Sequence, residues 1–106
     1  SIRDSDYALA AASAQITIGG NNKCERVHLG VGGATPSPLR LNEVETALIG
    51  SVLDDSVIDD AVSLIPNLLE PQSDVHASAE YRRRVTCVLA ARAIRDARDR
   101  AQGKFS

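Results

Sequence analysis

The tetrad Gly19-Gly20-Asn21-Asn22 decides how the front third of this chain can fold. Two glycines followed by two asparagines accept positive backbone angles and suit a hairpin reversal. Beyond them Val27, Leu29 and Val31 alternate with Arg26, His28 and Gly30, a period-two pattern with one buried face. A strand so clearly marked needs a partner. The nearest candidate is the segment from Tyr7 to Ile18, although its alanines favour helix by propensity. Ile16-Thr17-Ile18 runs straight into the turn, which tips that conflict toward strand. Two long antiparallel strands are therefore predicted. Ala8, Ala10, Ala12 and Ala14 would line one face of the first and let a helix approach the sheet closely.

The remainder reads as loop and helix. Gly30 to Leu41 is glycine- and proline-rich and predicts an ordered loop. Asn42 then caps a short helix, with Glu45 three residues on in the capping-box position. Val44, Ala47 and Leu48 give that helix an apolar side, and Gly50 suits its reversal. A second helix is predicted from Asp54 or Asp55, its stripe formed by Val57, Ile58, Ala61, Val62, Ile65, Leu68 and Leu69. Pro66 should kink it or end it near Ile65, because proline cannot donate to the preceding turn. After the loop Glu70 to Ala77, a last helix is predicted from about Ala79 to Gln102, ended by Gly103. Leu89, Ala90, Ala93, Ala97 and Ala101 mark its inner side. Glu80 with Arg84 and Asp96 with Arg100 are favourable pairs four residues apart on its outer side. The order β-β-α-α-α defines an α+β fold, an antiparallel sheet packed beside a three-helix bundle, with residues 1–106 forming one domain.

Composition narrows the function. A chain of 106 residues supports one modest core, and Tyr7, Tyr81 and Phe105 are its only aromatics. Twelve basic and 14 acidic residues leave a net charge of -2, which argues against a general nucleic-acid binder. The interspersed Asp96 and Asp99 and the lack of stacking aromatics argue the same way for the arginine-rich last helix. No apolar run is long enough for a bilayer span. The polar start Ser1-Ile2-Arg3-Asp4 is no secretory signal, so a soluble, cytoplasmic protein is expected. Its lack of methionine suggests a processed chain or an excised fragment. Cys24 and Cys87 read as buried free thiols in a reducing compartment, and nothing asks for a disulfide between them.

Few motifs carry chemistry. Gly19-Gly20 has no helix behind it to supply a dipole, and Gly32-Gly33 is followed by Thr35-Pro36, so neither makes a dinucleotide loop. Cys24 and His28, four apart on a strand, would share a face but stand well separated, a poor start for a metal site. His28 and His76 sit in no nucleophile elbow, so no catalytic residue is assigned. Arg82, Arg83 and Arg84 point roughly 100° apart on a helix and cannot all serve one contact. The plain reading is a solvated face with one arginine paired to Glu80 or a nearby carboxylate; the sharper one makes at least one of them a docking residue. Tyr7 stands where the chain enters its first strand, a position usually explained by edge packing.

Three segments matter together: Asp6-Tyr7-Ala8, Gly32-Gly33-Ala34-Thr35-Pro36-Ser37-Pro38-Leu39-Arg40, and His76-Ala77-Ser78-Ala79-Glu80-Tyr81-Arg82-Arg83-Arg84-Val85. In order and spacing they resemble the C-terminal domain of the FAD-binding medium subunit of molybdenum hydroxylases, the carbon monoxide dehydrogenase and xanthine dehydrogenase group. The resemblance runs from Arg3 to about Arg95. It implies an antiparallel sheet beside a three-helix bundle, following two FAD-binding domains of the same subunit. It also implies partners: a large subunit that oxidises substrate at molybdenum, and a small subunit whose iron–sulfur clusters pass electrons to FAD. This domain would support the flavin site and help dock the subunits. By the same match Tyr7 is the one cofactor-binding residue, flanking the isoalloxazine ring, where other members carry phenylalanine. The family's pyrophosphate-binding glycine motifs belong to the upstream domains, so FAD is expected in the complete subunit and not on this chain alone. The family domain usually begins with a strand upstream of Asp6, whereas only Ser1 to Ser5 precede it here. An exposed sheet edge open to self-association is the expected result. The alternative function is a free-standing protein–protein interaction module with no flavin role.

Overall fold

The computed structural model describes residues 11–32, 39–68 and 76–103; for Ala11 and for residues 76–82 it describes the backbone only. Strands β1 (Ala11–Ile18) and β2 (Cys24–Gly32) pair antiparallel, with Ala14 opposite Leu29 and Ile16 opposite Val27. The predicted hairpin is present. Asn22 N–H donates to the Gly19 carbonyl and Gly19 N–H to the Lys23 carbonyl, both at 2.9 Å. The positive φ falls on Asn22, at 65°, and on neither glycine of the turn. Asparagine tolerates that region better than most residues that carry a side chain, and the neighbouring Asn21 Oδ1 accepts Lys23 N–H at 3.1 Å.

A bulge follows the turn. Thr17 lies opposite Arg26 and Ile18 opposite Cys24, so Glu25 is an extra residue in β2. It lets Cys24 and Val27, three residues apart, both face the core, while His28 faces outward. The expectation that Cys24 and His28 share a face therefore fails: one inserted residue reverses the phase of everything before it. In β1 Ala12, Ala14, Ile16 and Ile18 are half-buried and Ser13, Gln15 and Thr17 exposed. Ala8 and Ala10 lie outside the described residues.

The segment read as loop contains a third strand. β3 (Leu39–Arg40) pairs antiparallel with β2, Gly30 opposite Arg40 and Val31 opposite Leu39, and the sheet order is β1-β2-β3. Two residues cannot display an alternation, so pattern alone does not reveal it. Helix α1 (Asn42–Leu48) follows at once. Its cap position is Leu41, no side chain caps it, and Asn42 is already helical. Glu45 points into the protein and Ala47 into solvent, the reverse of the capping-box reading.

Helix α2 (Asp55–Val62) starts as predicted, with Asp54 Oδ1 accepting Val57 N–H at 2.9 Å. It ends three residues before Ile65. A helix continuing through Pro66 would drive the ring against the Val62 carbonyl, and the chain instead restarts as a single turn, α3 (Ile65–Leu68). Helix α4 (His76–Ala101) begins three residues earlier than expected and closes at Gly103, φ 76°. The architecture is thus the predicted α+β one, with a short third strand and an extra helical turn. Leu29, Leu48, Leu53, Ile58, Ile65 and Ile94 are among the fully buried side chains at its centre. On α4 the inner stripe is Ala90, Ala91, Ile94 and Ala97; Leu89 and Ala93 are half-buried and Ala101 exposed. The small residues let α4 pack across β1, as the alanine pattern implied.

Candidate functional site

Tyr7, the residue that sequence reasoning assigns to a cofactor, lies outside the described residues. So do the side chains of Ser78, Glu80, Tyr81 and Arg82. Of the arginine run, Arg83 is half-buried and Arg84 exposed. Both cysteines are free thiols. Cys24 Sγ lies 3.6 Å from the Arg26 carbonyl and Cys87 Sγ 3.5 Å from that of Val62. Burial pushes both thiols above their ordinary value, which opposes use as nucleophiles. Among the described residues no three of His, Cys, Asp and Glu gather as metal ligands.

The most constrained polar centre is Glu45, 5% exposed. Leu41 N–H donates to the Leu29 carbonyl at 3.0 Å, as a strand continuing from β3 would. A full ladder would return Leu29 N–H to the Leu41 carbonyl. That carbonyl is instead taken by Glu45 N–H, at 3.1 Å, to open α1. The Glu45 carboxylate fills the vacancy: its Oε2 accepts Leu29 N–H at 2.7 Å. Arg40 Nε supplies the counter-charge, 2.9 Å from Oε2 and 3.1 Å from Oε1. Burial by itself would raise this carboxyl. The hydrogen bonds from Arg40 and Leu29 and the charges of Arg40 and His28 outweigh it and hold the group below its ordinary value. An ionised, fully engaged carboxylate makes a strand-to-helix joint, not an acid or base. Sequence reasoning missed it because Asn42-x-x-Glu45 mimics a capping box, while the telling signal, an arginine five residues before a glutamate, is common.

A second polar cluster joins α2 to α4. Arg98 Nη1 donates to the Leu53 carbonyl at 3.0 Å and to Asp55 Oδ1 at 2.7 Å, while its Nε meets Asp99 Oδ1 at 3.0 Å. Arg95 Nη2 donates to Asp59 Oδ1 at 2.6 Å. Its Nε is 3.4 Å from Asp55 Oδ1, close enough for charge attraction but without hydrogen-bond geometry. The Arg98 hydrogen bond is the chief reason that Asp55 is held below the usual carboxylate range. The last helix thus spends Arg95 and Arg98 between elements.

A shallow open depression of about 340 Å³ lies between β1 and the end of α4, lined by Ala14, Gln15, Ile16, Ala97, Arg100 and Ala101. It is a poor fit for a dinucleotide. Gly19-Gly20 serves a hairpin and leads to no helix, and the depression offers one cation and no cluster of backbone donors. The described residues therefore build no FAD cradle. No helix among them is long and apolar enough to cross a membrane.

A three-stranded antiparallel sheet with an alanine-rich helix packed across it and shorter helices alongside defines a small domain of the α+β class. Residues 1–97 match the family model described as the CO dehydrogenase flavoprotein C-terminal domain, and the chain belongs to that family. It is 37% identical over 94 residues to the glyceraldehyde dehydrogenase medium chain of Sulfolobus acidocaldarius, covering 89% of this chain and 33% of that one. It is 36% identical over 97 residues to the carbon monoxide dehydrogenase medium chain of Afipia carboxidovorans, covering 92% and 33%. Its fold is similar to that in the crystal structure of the cyanide-inactivated Cu,Mo-CO dehydrogenase. The TM-score is 0.75 and the identity 36%, over 90% of this chain and 33% of the other. The chain spans about a third of the length of the curated relatives it matches.

Proposed function

We propose that residues 1–106 act as the C-terminal domain of the FAD-binding medium subunit of a molybdenum hydroxylase. The observation that carries the reading is family membership across nearly the whole chain, joined to a fold with no catalytic constellation among its described residues. FAD would be held by the upstream domains of the same subunit and would supply the electron-accepting chemistry. This domain braces that site and docks against the iron–sulfur small subunit and the molybdenum large subunit. Tyr7, four residues before Ala11 in the sequence, would flank the flavin ring and limit access of an electron acceptor.

The complete subunit tests the reading. Purified with its partners it should carry FAD, and Tyr7→Ala should shift the flavin absorption band or its reoxidation rate while circular dichroism stays unchanged. Unaltered flavin behaviour in that variant removes Tyr7 from the site. A complete protein that neither carries nor takes up FAD sinks the reading as a whole.

A further inference from the structure

We draw no further inference here: the strongest candidate, the outer edge of β1 with the shallow depression where it meets the end of α4, is an unpartnered strand edge, and nothing among the described residues shows what covers it.

Discussion

At the scale of single residues, Glu45 shows why a buried charge can be the cheaper choice. Leu29 N–H faces the position where strand pairing stops, and an unpaired buried amide costs about 1–3 kcal/mol. An ionised oxygen at 2.7 Å, balanced by Arg40, satisfies it. Replacing Glu45 by Gln keeps the shape but weakens the acceptor and strands the Arg40 charge. Urea unfolding should show a loss of about 1–3 kcal/mol at neutral pH. The pH dependence has a definite sign. The folded-state carboxyl titrates below the ordinary value of about 4.3. The unfolded chain therefore binds the proton first, and the stabilisation is complete above that value and drains as pH falls through the folded one. Glu45→Gln should flatten this acid limb, and an acid limb identical to wild type would refute the assignment. Gly50 provides a simpler case. At φ 86° with open space around it, an added methyl meets no atom, so Gly50→Ala should lose only the left-handed backbone penalty, about 1–2 kcal/mol by the same unfolding measurement.

Between elements, the α2–α4 contact separates two kinds of ion pair. Arg98 has a side chain 16% exposed and satisfies the carbonyl of Leu53, whereas Arg95 is 37% exposed and meets only carboxylates. Arg98→Met should therefore cost about 1–3 kcal/mol with little dependence on salt, and Arg95→Met less than about 1 kcal/mol, shrinking as salt rises. Equal losses for the two, or a loss at Arg98 abolished by salt, would mean that the Leu53 contact contributes nothing. The same elements show what is legible in a sequence. The hairpin, the start of α2 at Asp54 and the stop at Gly103 are all written within four or five adjacent residues, and they came out as expected. The bulge at Glu25, the strand Leu39–Arg40 and the inward turn of Glu45 depend on partners up to 16 residues away, and no local pattern encodes them. On α4 the alanines at 90 and 97 were read correctly, while Ile94, the one bulky residue of the inner stripe, was passed over because alanine spacing dominated. Tyr7 is proposed for the flavin site on family resemblance alone, since no local pattern separates it from edge packing.

For the molecule as a whole, the division of labour follows from what each layer can supply. The described sheet and helices offer a frame in which β1 and β2 pair along their length and α4 packs across β1. Tyr7 is the residue proposed to meet the flavin; it stands four positions before Ala11 in the sequence, and β1 is fixed on one side by β2 and on its face by α4. Two consequences can be separated in the complete subunit. If Tyr7 acts as a ring against the flavin, Tyr7→Phe should preserve the absorption band and Tyr7→Ala should change it, because phenylalanine keeps the ring and drops only the hydroxyl. If the frame sets the ring's position, Ile94→Ala, which hollows the core beneath β1 and α4 at a cost of about 2–5 kcal/mol, should perturb the same band at temperatures where the domain is still folded. A flavin band altered by Tyr7→Ala but indifferent to Ile94→Ala would assign the tyrosine's placement to the upstream domains rather than to this one.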